Sequence, residues 1–335
     1  NAFRAQGRID SRCIRVSHQL RAAPEAAESA CLDAMSQEVL AMRLLRVGPP
    51  GHEVPAALDA GGVLRNLSSV WPIQGAQGLQ PQALDRLRSL DLSSLPVLPA
   101  DSRPGVPWSG CGKIVCVGLN YADHAAEAGL PLPAEPVLFS KPTSAMIGAR
   151  DAVVLPQGSL KSDWEVELGV VIGRKARYVT KDQALAHVAG YCVVNDLSER
   201  EYQLERGGTW DKGKGCDTFA PVGPWLVTAD EVPQPQALGL WLDVNGRRFQ
   251  NGSTGTMVFA VAELVSAISR YMTLYPGDLI STGTPPGVGM GVKPQAIYLR
   301  PGDEMRLGVD GLGEQHLRVH AWDAALLDSM AQERS

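Results

Sequence analysis

No run of about 18 apolar residues, the length that marks a membrane-spanning helix, occurs in the 335 residues. Nor is there a run of Lys and Arg: with a formal net charge of -5, the chain offers no basic field to nucleic acid or anionic lipid. CxxC and zinc-ribbon spacings are missing too. Six cysteines (Cys13, Cys31, Cys111, Cys116, Cys192 and Cys216) are scattered along the chain. That argues against a disulfide framework or structural zinc and fits a reducing, cytoplasmic compartment. GxSxG, HExxH and a GxGxxG after a strand are lacking, which leaves serine-hydrolase, zinc-peptidase and dinucleotide readings without support. A small-molecule partner is what these absences leave.

At 44% hydrophobic and 20% charged residues, the chain can bury a full-sized core. Its first forty residues differ from the rest. Arg4, Arg8, Arg12, Arg15 and Arg21 face only Asp10 before Glu25. Residues 1–41 therefore read either as a transit-like extension or as the result of a start placed upstream of a natural one at Met42. From Met42 to about residue 105, short apolar stretches (MRLLRVG, GGVLRNLSSV) and the helical spacing of Leu84, Leu87 and Leu90 predict a small α+β domain. Leu98 to Gly112, rich in Pro, Gly and Ser, reads as a linker. Beyond it, over residues 110–330, β-rich runs such as KIVCVGLN, EVELGVVIG, AGYCVVND, LGLWLDVNG and GDEMRLGVDG are separated by Gly, Pro and Asn-Gly turns. VFAVAELVSAISRYM is the main helical segment. The pattern predicts an α+β fold dominated by sandwich-like or barrel-like β structure, without the βαβ alternation of a Rossmann domain.

In DWEVELGVVIG the strand period of two puts Glu165 and Glu167 on one face. A solvated polar face on an edge strand is one reading. The other is a metal site, because the strand runs into an apolar stretch typical of a buried strand, and two buried carboxylates need a compensating cation. The next strand, AGYCVVND, ends in Asp196, a third oxygen ligand. Asp196 and Glu199 also have capping-box spacing ahead of a predicted helix in SEREYQLER. Three carboxylates without a Cys or a nearby His pair suit Mg²⁺, Mn²⁺ or Ca²⁺ better than zinc.

His124 and Glu127 in NYADHAAE share a face if helical: either a surface salt bridge or a base with its orienting carboxylate. Lys212 and Lys214 alternate with glycines in TWDKGKG, as a basic turn or as cations poised over a ligand. STGTPPGVGMG is no P-loop, although its amides and the Thr284 hydroxyl could take a carboxylate.

The series NYADHAAE, EPVLFSKP, DWEVELGVVIG, GYCVVNDLSERE, TWDKGKGCDTFAPVGP, NGSTGTMVF and PGDLISTGTPPGVG, in that order over roughly residues 110–322, resembles the fumarylacetoacetate hydrolase superfamily. The stretch from Met42 is similar to the N-terminal domain of its bacterial members. The resemblance implies a β-rich mixed β-sandwich roll, a homodimer, and a divalent ion, Mg²⁺ with Mn²⁺ or Ca²⁺ as substitutes, on Glu165, Glu167 and Asp196. By the same resemblance His124 and Glu127 form a water-activating pair on a closing lid. Lys214 is the remaining catalytic residue, and Tyr121, Arg200, Gln203 and Thr284 face substrate. Asp123 stands near an aspartate ligand of the fumarylacetoacetases proper, but members that resemble this chain manage with three carboxylates. The wording of the motifs is similar to bacterial 2,4-diketo-3-deoxy-sugar-acid hydrolases of the fuconate and rhamnonate type. The implied reaction is hydrolysis of a C–C bond in a 2,4-diketo acid, releasing pyruvate through a metal-bound enolate. Decarboxylation of oxaloacetate-like acids, or isomerisation or hydration of 2-hydroxydienoates such as hydroxyheptadienedioate, is the alternative on the same site.

Overall fold

The computed structural model describes residues 42–71, 75–127, 129 and 131–330; the expectation for residues 1–41 lies outside them. Nine strands form the larger sheet: β1 (Arg43–Val47), β2 (Val54–Leu58), β3 (Leu64–Asn66), β4 (Ile114–Gly118), β5 (Val137–Lys141), β7 (Val166–Ile172), β8 (Val188–Asn195), β9 (Leu226–Thr228) and β12 (Leu279–Ser281). They run in the order β3-β2-β1-β9-β8-β7-β12-β4-β5. All neighbours are antiparallel except β12 and β4. A second sheet has five strands in the order β11-β10-β13-β14-β6. These are β6 (Ala152–Val154), β10 (Gly239–Val244), β11 (Arg247–Ser253), β13 (Glu304–Val309) and β14 (Gly313–His320). The architecture is the mixed, β-dominated α+β arrangement expected.

Residues 42–105 supply β1 to β3 and the helix α1 (Pro81–Arg88). β1 pairs with β9, so the sheet is continuous across the stretch Leu98 to Gly112. α1 starts on a proline, whose missing N–H costs nothing at the first helical position, and buries Ala83, Leu84 and Leu87.

The two faces of the large sheet meet two different cores. Val166, Leu168, Val170 and Ile172 of β7 pack toward Leu240, Leu242, Met305 and Leu307 of the second sheet and toward α5 (Val261–Tyr271). In α5 the apolar spacing i, i+3, i+4, i+7 brings Val261, Leu264, Val265 and Ile268 to that core. Each such burial contributes roughly 1.5–3 kcal/mol. Val171, Cys192, Val194 and Leu279 face the other way, under Trp71, Leu79, Leu84, Leu87 and Trp108. Residues before and within the predicted linker thus cover the second face. Glu165 and Glu167 share the parity of Val171, and Asp196 that of Cys192 and Val194, so all three carboxylates belong to this covered face. Among the described residues no helix is long and apolar enough to cross a membrane.

Candidate metal centre

β7 and β8 run antiparallel with Val194 opposite Glu167 and Asn195 opposite Val166. The Asp196 N–H donates to Glu165 O at 2.8 Å. Register alone therefore places Asp196 beside the two glutamates. One oxygen of each of Glu165, Glu167 and Asp196 lies within 4.8 Å of the others. All three are buried, at 6%, 2% and 0% exposure. The edge-strand reading of the glutamate pair fails for this reason: β7 is central in its sheet, and Arg200, Lys214, Ser281 and Gly283 close over the two carboxylates. The capping reading of Asp196 fails as well. The short helix α3 (Arg200–Leu204) is capped by Glu199, whose carboxylate accepts from Glu201 N, while Ser198 and Glu199 pair with Ser162 and Asp163 instead of continuing the helix. That leaves both Asp196 oxygens to the cations and ligands of the site.

Cations hold two of the three carboxylates. Lys214, the last residue of α4 (Asp211–Lys214) and 2% exposed, donates to Glu165 Oε2 at 2.6 Å and to Asp196 Oδ2 at 2.8 Å. Lys141, at the end of β5, donates to Asp196 Oδ1 at 2.6 Å and to Leu197 O at 2.9 Å. Arg200 reaches Glu165 Oε1 at 2.6 Å. Burial alone would raise the Glu165 carboxyl, but the Lys214 ammonium and Arg200 guanidinium overcome it and lower its pKa to about 2. Lys214 is in turn held charged by Asp196 and Glu165 against the pull of burial.

Glu167 has no such partner. Ser281 Oγ and Gly283 N donate to it at 2.5 and 2.9 Å, both on Oε2. Burial, with Asp196 and Glu165 close by, pushes its pKa well above the usual carboxylate range. Four carboxylates (Asp163, Glu165, Glu167, Asp196) gather here with three cations (Lys141, Lys214, Arg200), so that with all four ionised one buried negative charge is in excess. An all-oxygen donor set with that excess fits a hard divalent cation. The chain can thus hold a divalent metal on Glu165, Glu167 and Asp196.

The other expected site residues fall into two groups. His124 and Glu127 lie on the short helix α2 (Ala122–Glu127), with Nδ1 3.1 Å from Glu127 Oε2. His124 lies within electrostatic reach of Glu165. Glu127 also accepts from Gly287 N at 3.2 Å, so the pair rests on the glycine-rich turn. Tyr121 is fully buried, and its hydroxyl has no hydrogen-bond partner. Burial and the neighbouring Glu167 hold that hydroxyl protonated, as a donor. These three side chains keep bonding capacity for a ligand.

Arg200, Gln203 and Thr284 are engaged by the protein itself. Arg200 Nε donates to Asp163 at 2.8 Å and its terminal nitrogens to Gln203 Oε1 at 2.9 Å and to Glu165. The Thr284 hydroxyl donates to Val166 O at 2.9 Å and accepts from Gln250 Nε2 at 2.8 Å. Its one proton is committed to the strand that carries the glutamates. Asp123 is exposed, bonded to Thr256, and lies apart from the carboxylate cluster. Lys212 separates from Lys214 by reaching out to Arg206 O at 2.7 Å.

Lys141, Asp163, Ser281 and Gln250 were not expected here. Lys141 closes the apolar strand VLFSK, where a lysine reads as a surface residue. Asp163 shares the period of Glu165 and Glu167, and that signal could have found it. One wall is aromatic: Trp210 meets Phe139 edge-on at 5.3 Å, and the Lys214 ammonium lies 5.1 Å from the Phe139 ring centre. A Cβ on Gly118 would lie 2.4 Å from the Trp210 ring, so the absent side chain at the end of β4 lets the indole dock.

Residues 113–320 match the family model described as fumarylacetoacetate (FAA) hydrolase C-terminal. A Burkholderia cenocepacia protein with only a provisional name as a hydrolase is 58% identical over 274 residues, covering 82% of this chain and 97% of its own. The structure of a fumarylacetoacetate hydrolase from psychrophilic Exiguobacterium antarcticum superposes with a TM-score of 0.74 at 32% identity, covering 84% of this chain and 100% of that one. A fumarylpyruvate hydrolase from Pseudomonas aeruginosa, in complex with Mn²⁺ and pyruvate, is 34% identical over 67% of this chain and 93% of its own, with a TM-score of 0.58. By sequence and by fold, the chain belongs to the fumarylacetoacetate hydrolase family.

Proposed function

We propose that this protein is a divalent-metal hydrolase of 2,4-diketo acids, of the acylpyruvate or 2,4-diketo-3-deoxy sugar acid type, and that it cleaves the C3–C4 bond to release pyruvate. The observation that carries the reading is the buried cluster of Glu165, Glu167 and Asp196, contacted by Lys214 and close to the His124–Glu127 pair. One excess negative charge in the cluster becomes one positive charge with a divalent ion, which an anionic 2-oxo acid neutralises. The Mn²⁺ and pyruvate of the Pseudomonas relative support the same ligand chemistry.

Mg²⁺ is the proposed ion, with Mn²⁺ or Ca²⁺ as substitutes. Bound by the three carboxylates, it would supply Lewis-acid polarisation and a template for the 2-oxo acid. The Glu127 carboxylate facing His124 Nδ1 favours the tautomer with its proton on that nitrogen, which leaves Nε2 to take a proton from water. The water oxygen adds to C4. The C3–C4 bond then breaks, its electron pair leaves with the three-carbon fragment, and protonation of C3 completes pyruvate. Lys214 has three N–H donors and uses two on Glu165 and Asp196. Its third, and the Tyr121 hydroxyl, can meet oxygen atoms that gather charge. Arg200, Gln203 and Thr284 act by holding the carboxylates in place.

The free thiols Cys111, Cys116, Cys192 and Cys216 support a reducing, cytoplasmic setting. The family resemblance supports a homodimer, which light scattering would check. The activity test is a panel of acylpyruvates, 2,4-diketo-3-deoxy sugar acids and oxaloacetate, each with Mg²⁺, read by pyruvate release. In ¹⁸O-labelled water, label should appear in the carboxylic acid that leaves with C4. Inert diketo acids alongside rapid decarboxylation of oxaloacetate would replace the hydrolase reading.

A further inference from the structure

Asp163 is fully buried and takes part in no step proposed above, yet four donors converge on it. Its Oδ1 accepts from Trp164 N at 2.8 Å and Gly289 N at 2.6 Å; its Oδ2 accepts from Arg200 Nε at 2.8 Å and Met290 N at 3.0 Å. A Cβ on Gly289 would lie 2.1 Å from Ile297 O and 2.7 Å from Asp163 Oδ1, so only glycine lets this amide approach. From Asp163 two short chains of contacts leave in different directions. One passes through Arg200 to Glu165 Oε1 at 2.6 Å. The other runs along the turn 287–291 to Gly287 N, which donates to both oxygens of Glu127 at 3.2 and 3.3 Å.

We infer that Asp163 is a positioning residue that ties the glycine turn beneath the His124–Glu127 pair to the carboxylate of Glu165. The inference rests on the reading of Glu165 as a metal ligand. One buried side chain then fixes two things the reaction needs in register: the seat of the base's partner and the direction of a ligand oxygen. Loss of an outer partner of this kind typically costs about 10- to 100-fold in metal affinity. The side chain must be a carboxylate, because asparagine would turn an NH₂ group toward two of the four donors.

The test uses the full chain with Mn²⁺ as probe: isothermal titration for affinity, and hydrogen exchange at the Gly289 and Met290 amides without metal. Asp163→Asn is expected to raise the Mn²⁺ Kd about 10- to 100-fold. It should also speed exchange by about tenfold or more at whichever of the two amides comes to face the NH₂ group, the loss expected for a buried hydrogen bond. Arg200→Lys, which leaves Asp163 and its amides in place, should weaken Mn²⁺ similarly without altering exchange at Gly289 and Met290. This second variant carries the test if Asp163→Asn does not fold. A folded Asp163→Asn protein with either quantity at its wild-type value overturns the coupling, as does Arg200→Lys with wild-type affinity. Wild-type protein that takes up no Mn²⁺ overturns the metal reading and the coupling with it; normal wild-type uptake with unchanged variants overturns the coupling alone.

Discussion

Lys214 and Glu165, both buried, meet at 2.6 Å, and the same ammonium lies 2.8 Å from Asp196. The cation therefore contacts two of the three carboxylates assigned to the ion. Lys214→Met removes one positive charge from the cluster. Activity should fall on the order of a hundredfold or more, as for loss of one charge-stabilising donor, while Mn²⁺ affinity should rise. The metal-free variant should lose about 3–5 kcal/mol of stability, the cost of breaking a buried pair. Titration calorimetry and melts with and without Mn²⁺ check both; a variant that binds Mn²⁺ more weakly contradicts the picture.

Glu167 sets the pH behaviour of the metal-free protein. Its folded pKa is raised by burial, Asp196 and Glu165. A raised pKa contributes stability below the unfolded value and loses it as pH rises through the folded one. Glu165 has the opposite sign: lowered to about 2, it contributes stability above the usual carboxylate range and loses it as pH falls toward 2. Denaturant unfolding in EDTA should thus weaken from mildly acidic to neutral pH and again under strong acid. Glu167→Gln should remove the first decline only. Stabilisation by Mn²⁺ should be larger at neutral pH than near pH 5.

Removing metal should stop the reaction outright. Treatment with EDTA, and separately Glu167→Ala, should abolish pyruvate release, with Mg²⁺ or Mn²⁺ restoring only the former. Full turnover by metal-stripped wild type would end the metal reading.

His124→Ala should separate chemistry from binding. Loss of a positioned base commonly costs about 10²- to 10⁴-fold, so hydrolysis should fall by that much while the Mn²⁺ Kd stays at the wild-type value. Glu127→Gln should give a smaller loss in kcat, because the imidazole remains but its orienting charge is gone.

Gly118→Ala tests the aromatic wall. The added methyl would stand 2.4 Å from the Trp210 ring, and overpacking of this kind costs about 1–3 kcal/mol. Trp210 directly precedes the helix that carries Lys214. A drop in kcat should accompany the lower melting temperature. Unchanged kinetics would detach Trp210 from the site.

Much of the site was legible along the chain because its residues sit on regular elements. Period two put Glu165 and Glu167 together, and a three-residue helical step put His124 beside Glu127. Family pattern places Asp123 outside the three-carboxylate set, and in the fold it bonds to Thr256. Lys141 and Asp163 escaped notice because each acquires its role from a partner far off in sequence: Asp196, 55 residues on, for Lys141, and the Gly289 amide, 126 residues on, for Asp163.

What the sequence determined by itself was local: strand and helix phases, the absence of a long apolar helix or a basic field, and the ordered motifs that mark the family. It could not decide whether the Glu165–Glu167 face met water or core, nor whether Asp196 capped a helix. The tertiary structure decided both. β8 and β12 flank β7, Arg200, Lys214, Ser281 and Gly283 close over its carboxylates, and Glu199 takes the cap. A carboxylate's charge state and bonding capacity depend on what surrounds it in space, and those surroundings come from segments more than a hundred residues apart.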